Sequence, residues 1–167
     1  PDAPALDRAR AAGVATAVVA PADFDDRAAW DVAVAETVAV FDPDLVVLAG
    51  FMRVLAAPFV ERFAGRALNT HPSLLPAFPG AHAVRDALAY GVRLSGCTVH
   101  LVDAGLDSGP VLAQAAVPVL DGDDEAALRA RIQQVERELL VQVVGAVAAD
   151  GVVVDGRRAT IGRPGPR

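Results

Sequence analysis

The sequence predicts an α/β protein with an open, mostly parallel sheet and helices on both of its faces. Residues 45–48 form a continuous apolar run, which is typical of a parallel strand covered on both sides. Residues 27–41 and 125–148 have apolar positions at helical spacing. Polar residues follow the strand predicted at residues 66–70, and ligands of parallel sheets lie beyond the carboxyl ends of strands. We therefore expect the functional site at that edge of the sheet.

The composition limits the class of protein. The 167 residues suffice for one domain with a real core, and 53% hydrophobic with 22% charged residues is typical of a globular chain. No apolar run approaches membrane-spanning length and no apolar leader opens the chain, which predicts a cytoplasmic protein without membrane partners. The net charge of -6 argues against nucleic acid, because phosphate binding needs a basic surface. A single cysteine, Cys97, excludes an internal disulfide and a cysteine-rich metal site.

The first predicted elements are a helix and a strand. Residues 2–12 are predicted to form the helix, and residues 14–19 the strand. A helix that leads directly into a strand with no earlier partner is unusual at the start of a fold. We therefore expect an amino-terminally truncated single domain at residues 1–162, followed by a flexible tail at residues 163–167.

The next segments are a helix, a strand and a loop. The helix at residues 27–41 has one apolar stripe, which consists of Trp30, Val34, Val38 and Phe41. The strand at residues 45–48 follows. Residues 51–55 then begin a loop at the carboxyl end of that strand, where a ligand wall is expected. Taken alone, the apolar side chains of this loop suit a core at least as well.

The most polar stretch of the chain follows a second strand. After a short helix at residues 58–63, the strand at residues 66–70 delivers Asn69 and His71 to one face. An amide can stabilise an oxyanion and an imidazole can carry protons near neutral pH. Ser73 is not surrounded by a Gly-x-Ser-x-Gly turn, which argues against a serine hydrolase. The strand is stopped by Pro72, Pro76 and Pro79. This pattern indicates an acyl-transfer site without an obvious covalent nucleophile.

A helix and two β-patterned runs come next. The helix is predicted at residues 81–90, and its His82 and Arg85 are interpreted as a solvated face. Residues 94–103 and 111–119 predict a hairpin-like pair of strands with a long functional loop between them.

Two polar residues of this hairpin-like pair have competing interpretations. His100 shares a strand face with Thr98 and Val102, and we interpret it as a structural histidine. Asp107 lies in a glycine-flanked loop, where an aspartate is either a simple turn former or a functional acid.

The last predicted elements are a long helix and a hairpin. The helix at residues 125–148 has a buried stripe, which consists of Leu128, Ile132, Val135, Leu139 and Val143. Gln133 and Glu136 are neighbours on another face and, taken alone, suit a surface. Residues 151–161 predict a small hairpin whose two turn residues are Asp155 and Gly156.

Four motifs together resemble the folate-dependent formyltransferase family. They are Asn69-Thr-His71-Pro-Ser-Leu-Leu-Pro76, Phe78-Pro-Gly80, Leu106-Asp-Ser-Gly-Pro110 and Ala49-Gly-Phe-Met-Arg-Val-Leu55. The resemblance runs from about residue 8 to about residue 150 and implies a Rossmann-like fold. Within the family the sequence most resembles the members that formylate glycinamide ribonucleotide in purine synthesis.

The resemblance implies a reaction and a set of site residues. A formyl group would pass from 10-formyltetrahydrofolate, the co-substrate, to the amine of glycinamide ribonucleotide, with Asn69, His71 and Asp107 as the catalytic residues and without a metal ion. The residues implied at the reduced folate are Arg27, Met52, Arg53, Val54, Leu55, Asn69, Asp103, Ala104, Gly105, Leu106 and Asp107. Those implied at the ribonucleotide are Gln133, Gln134, Val135 and Glu136. A homodimer remains open.

Other functions compete with this interpretation. Methionyl-tRNA formyltransferase and formyltetrahydrofolate deformylase share the amide, the imidazole and the carboxylate. A non-catalytic folate-binding fragment is an alternative of another class, because the implied phosphate-binding segment at the amino terminus is not present in this sequence. A metal hydrolase using His71, His82 and His100 is disfavoured, since no pair has helical ligand spacing.

Overall fold

A computed structural model describes residues 3–162 of the chain. The described residues divide into two compact units. The first consists of those up to Pro43 together with Leu55–Arg62, and the second of Asp44–Val54 together with those from Phe63 onward. Among the described residues, none of the helices is both long and apolar enough to cross a bilayer. The predicted tail at residues 163–167 lies outside the described residues, and the single-domain boundary stays a prediction.

The first unit is helical. It contains α1 (Pro4–Ala11), a short 3-10 helix (Pro21–Asp23), α2 (Arg27–Val40) and α3 (Ala57–Arg62). The carboxylate of Asp26 accepts the backbone N–H of Ala29 at 2.7 Å and so caps the start of α2. The indole N–H of Trp30 donates to the carbonyl of Val19 at 3.0 Å, which ties the segment before α2 to that helix. The predicted helices of this part of the chain are therefore confirmed.

The strand predicted at residues 14–19 is wrong. These residues have no regular secondary structure, and the side chains of Val14 and Val18 are 59% and 52% exposed. A strand is stable only when a neighbour satisfies its backbone hydrogen bonds, and no described strand pairs with this segment. The valine-rich composition indicated a strand because valine has a high local propensity for strands, but composition does not show whether a pairing partner is present.

The second unit is built on one open sheet of six described strands. They are β1 (Val46–Leu48), β2 (Ala67–His71), β3 (Leu94–Leu101), β4 (Val111–Pro118), β5 (Val152–Asp155) and β6 (Arg158–Ile161). Their order is β1-β2-β3-β4-β6-β5. The pairs β1–β2 and β4–β6 are parallel, and the other three pairs are antiparallel, so four of the six described strands point the same way. The predicted α/β class with an open sheet is confirmed.

Helix α5 (Glu125–Asp150) covers one face of this sheet and packs against β3 and β4. Its predicted apolar stripe lies in two core clusters, one around Leu128 and Ile132 and the other around Val143. The clusters include Cys97 and Val99 of β3, and helix α4 (Ala83–Tyr90) joins the first of them. Because side chains alternate along a strand, the neighbouring polar residues of β3 face away from α5.

The two predicted strand pairs are present. β3 and β4 are antiparallel and connected by residues 102–110, as expected. β5 and β6 form the small hairpin, and Asp155 pairs with Arg158. The turn residues are therefore Gly156 and Arg157, one position later than predicted. Gly156 has a φ of +57°, a conformation that glycine adopts at little cost, and this places it inside the turn.

Candidate active site

The candidate site begins where β2 and β3 lie side by side. Asn69 is paired with His100 across the two strands, and His71 with Thr98. Leu68, which precedes Asn69 in β2, belongs to the core under α5, so the side chains of Asn69 and His71 project from the other face. The predicted common face of Asn69 and His71 is present, and β3 adds a second histidine to it.

His100 holds the amide of Asn69. The Nδ1–H of His100 donates to the backbone carbonyl of Leu101 at 2.8 Å, which leaves Nε2 as an acceptor. The Nδ2–H of Asn69 donates to that Nε2 at 3.2 Å. Burial lowers the pKa of His100 below its usual value of 6.5, so the ring is neutral near pH 7 and keeps its acceptor nitrogen. The amide is thereby oriented with one N–H engaged and a second available.

His71 is enclosed by acceptors. Its Nε2–H donates to the carbonyl of Phe78 at 2.8 Å, and its Nδ1 lies 3.4 Å from Oδ2 of Asp107. The residue is 5% exposed. The ring is therefore held between a backbone carbonyl and a carboxylate.

Asp107 lies between the two histidines. Its Oδ2 accepts the backbone N–H of Gly80 at 2.8 Å, and its Oδ1 is 3.9 Å from Nε2 of His100. Its backbone has a φ of +49°, which is uncommon for a residue other than glycine. The glycine-flanked loop therefore holds a partly buried carboxylate at His71, and the turn-former interpretation alone does not describe it.

The proline-rich loop, defined as residues 72–80, is fastened to β3 and β4. The hydroxyl of Thr98 donates to the carbonyl of Ser73 at 2.7 Å and accepts the backbone N–H of Leu75 at 3.0 Å. Gln114 of β4 donates to the carbonyl of Leu75 at 2.8 Å. Ser73 is fully buried and its hydroxyl donates to the carbonyl of Ala77. Ser73 is therefore a structural residue, in agreement with the argument against a serine hydrolase.

The Asp107 loop, defined as residues 102–110, contains five of the predicted folate contacts, at residues 103–107. Oδ1 of Asp103 accepts the N–H of Gly105 at 3.0 Å and the hydroxyl of Ser108 at 2.7 Å, so this carboxylate braces the loop from inside. Ala104, Gly105 and Leu106 are exposed. Their backbone groups are accessible to a ligand, while the side chain of Asp103 is already engaged.

The remaining predicted folate contacts fall into two places. Met52, Arg53 and Val54 are exposed in the loop that follows β1, and two of them are apolar, with exposures of 70% for Met52 and 56% for Val54. Arg27 and Leu55 belong to the other compact unit. There Leu55 is buried, and Arg27 pairs with Asp31 at 2.8 Å.

The predicted ribonucleotide contacts on α5 differ from one another. Gln133 and Gln134 are exposed, whereas Val135 packs against a core cluster. Glu136 is half-buried, and its Oε1 accepts the hydroxyl of Thr70 at 2.9 Å. Thr70 lies between Asn69 and His71 but faces α5, so Glu136 approaches β2 from the helix side. Only Glu136 of this set has a described contact with the strand that carries the site.

The two histidines outside β2, His82 and His100, have different surroundings. His82 is exposed at the start of α4, as predicted, and His100 is buried with both ring nitrogens hydrogen-bonded, as expected of a structural histidine, but one of its partners is the amide of Asn69. Sequence reasoning missed this because the pairing of Asn69 with His100 is a matter of strand register, for which a single sequence holds no signal. Within residues 3–162 no group of three or more His, Cys, Asp or Glu is arranged to hold a metal ion.

The fold is that of an α/β enzyme, and an amide, an imidazole and a carboxylate lie together at the edge of its sheet. Residues 1–144 match the family model described as formyl transferase. The chain belongs to the formyl transferase family.

Similar proteins support this membership. The chain is 60% identical over 159 residues to a phosphoribosylglycinamide formyltransferase of Mycobacterium tuberculosis, covering 95% of this chain and 74% of that protein. It is 48% identical to the phosphoribosylglycinamide formyltransferase of Escherichia coli, covering 86% of this chain and 68% of the other. The crystal structure of glycinamide ribonucleotide transformylase 1 from Symbiobacterium toebii superposes with a TM-score of 0.93 at 47% identity, covering 98% of this chain and 77% of that one.

Proposed function

We propose that the protein transfers the formyl group of 10-formyltetrahydrofolate to the amine of glycinamide ribonucleotide in purine synthesis. The observation that carries the proposal is the convergence of Asn69, His71 and Asp107 on one sheet edge, in a chain 60% identical to a phosphoribosylglycinamide formyltransferase. Attack of the amine on the formyl carbon forms a tetrahedral intermediate. Its oxygen carries a developing negative charge, a proton passes from the attacking amine to the folate nitrogen, and the bond between the formyl carbon and that nitrogen then breaks.

Asn69 is the proposed donor to that oxygen. One N–H of its amide is held by His100, so the group is oriented before substrate arrives and loses little freedom when the second N–H bonds the oxyanion. Loss of one such donor typically costs about 10²- to 10³-fold in turnover. His100 therefore supports the reaction through Asn69.

His71 and Asp107 supply the proposed positive charge and the proton path. The carboxylate 3.4 Å from Nδ1 stabilises the imidazolium, which in turn stabilises the oxyanion. Proton exchange with the substrate nitrogens requires Nε2 of His71 to release the carbonyl of Phe78, to which it donates in this structure. A water bound by Asp107 is the other proposed route.

The substrates are proposed to approach from two sides. The pterin would lie against the exposed backbone of Ala104–Leu106 and the apolar side chains of Met52 and Val54, because a flat, partly apolar ring gains from covering such groups. The ribonucleotide would lie near Glu136 and Gln133, where a carboxylate and an amide can bind hydroxyl groups. We also propose that the enzyme acts in the cytoplasm on free small molecules and without a metal ion.

A two-product assay tests the proposal. The protein is incubated with 10-formyltetrahydrofolate, with and without glycinamide ribonucleotide, and both formylated ribonucleotide and free formate are measured by mass spectrometry. Formylated ribonucleotide that forms in proportion to folate consumed supports the proposal. Formate release that is independent of the ribonucleotide would assign a deformylase instead. Folate binding with neither product would identify a non-catalytic fragment.

A further inference from the structure

The turn of the β5–β6 hairpin contacts the Asp107 loop. Nη2 of Arg157 donates to the backbone carbonyl of Ser108 at 2.9 Å. Ser108 follows Asp107 directly, so a residue near the end of the described chain holds the peptide group next to the site carboxylate. The match to the family model ends at residue 144, before this hairpin begins. Neither the motifs of the site nor the family match accounts for this contact.

The Asp107 loop has a conformation that requires support. The positive φ of Asp107 is unfavourable for a residue with a Cβ atom, and it persists only where surrounding contacts hold it. Gly109 packs so closely on β3 that a Cβ atom there would lie 1.8 Å from the carbonyl oxygen of Leu101. Ser108, between these two residues, is held by Asp103 through its hydroxyl and by Arg157 through its carbonyl. The Arg157 contact therefore acts at the point where the loop sets the direction of Asp107.

The hairpin that presents Arg157 is attached to the core. Val152, Ala159 and Ile161 pack against the cluster that contains Leu101, the last residue of β3. β6 also pairs with β4 at Val111, immediately after the Asp107 loop. Although the guanidinium is exposed, its backbone is anchored on the same sheet as the loop that it contacts.

We propose that Arg157 is a positioning residue that holds Ser108 and thereby aims the carboxylate of Asp107 at His71. The β5–β6 hairpin is then part of the scaffold of the active site. This inference rests on the proposed function of the site, but it makes a separate statement about the free protein. The backbone N–H of Gly80, which donates to Oδ2 of Asp107 at 2.8 Å, reports the position of that carboxylate without any substrate.

The test compares Arg157→Ala and Arg157→Lys with Arg158→Ala. Arg158 is the adjacent exposed arginine, and its guanidinium has no hydrogen bond among the described residues, so it is a matched control. Hydrogen exchange of the Gly80 amide is measured by NMR in the absence of substrate. Because Arg157→Ala removes one of the hydrogen bonds that support the loop, it should speed Gly80 exchange roughly two- to tenfold. Arg157→Lys, which keeps a donor, should have a smaller effect, and Arg158→Ala none.

The second measurement is the steady-state kinetics of formyl transfer. In Arg157→Ala, kcat should fall by the same roughly two- to tenfold while both KM values stay within about twofold, because the loop backbone still presents its ligand contacts. Unchanged Gly80 exchange in Arg157→Ala, or equal effects in Arg158→Ala, would overturn the proposal. A faster exchange of the Gly80 amide that is accompanied by a lower urea midpoint would also overturn the proposal. If Gly80 responds as expected while the wild-type protein transfers no formyl group, the positioning role stands and the proposed function fails.

Discussion

Replacing Asp107 with asparagine removes the charge at the centre of the site and little else. The amide has the same shape as the carboxylate, and its oxygen can still accept the N–H of Gly80. The side chain of Asp107 is 12% exposed and lies 3.4 Å from Nδ1 of His71. The substitution therefore removes the counter-charge on which the proposed His71 imidazolium of the reaction depends, in a site with little solvent screening.

The magnitude follows from that distance. At 3.4 Å and an effective dielectric constant of roughly 20, two unit charges attract by about 5 kcal/mol. Each 1.36 kcal/mol corresponds to a factor of about ten in rate. Some screening by the exposed part of the carboxylate reduces the effect. We therefore expect turnover to fall on the order of 10³-fold.

The assay measures kcat for formyl transfer together with folate binding by isothermal titration. Folate affinity should change by less than about fivefold, because the proposed pterin contacts are backbone groups of residues 104–106 and apolar side chains. Asp121→Asn is the matched control, since Asp121 forms an exposed ion pair with Arg93 and lies outside the site. If Asp107→Asn kept turnover within tenfold of wild type, the counter-ion role of Asp107 would be refuted.

Three further predictions concern the support of the site and the stability of the fold. His100→Phe should lower kcat about tenfold without a matching change in KM, because Asn69 loses the acceptor that orients it; steady-state kinetics check this. Gly96→Ala should destabilise the protein by about 1–3 kcal/mol in urea unfolding, because its Cβ atom would lie 2.1 Å from a backbone oxygen of β4. Asp123→Asn should lower Tm at pH 7 and much less at pH 2. The hydrogen bond from Arg131 lowers the pKa of Asp123 from 3.8 to about 2, so its contribution is present above pH 3.8 and lost as the pH falls through about 2.

Much of the fold could be predicted from the sequence because its signals are local. The apolar stripe of α5 repeats at helical spacing, and the structure buries Leu128, Ile132 and Val143 as expected. Alternation along β2 places Asn69 and His71 on one face, and prolines end the strand. The segment at residues 14–19 has the same kind of local signal but no described partner, which is why its predicted strand is wrong.

The sequence by itself therefore determined which helices form, which way their side chains face, and that an amide and an imidazole share one strand face. Only the tertiary structure decided which side chains contact that amide and that imidazole. His100 reaches Asn69 through the register of β2 and β3, and Asp107 reaches His71 through a loop that contacts β3 and the distant Arg157. Register and loop path are set by long-range packing and hydrogen bonding, and no local window of the sequence contains those interactions.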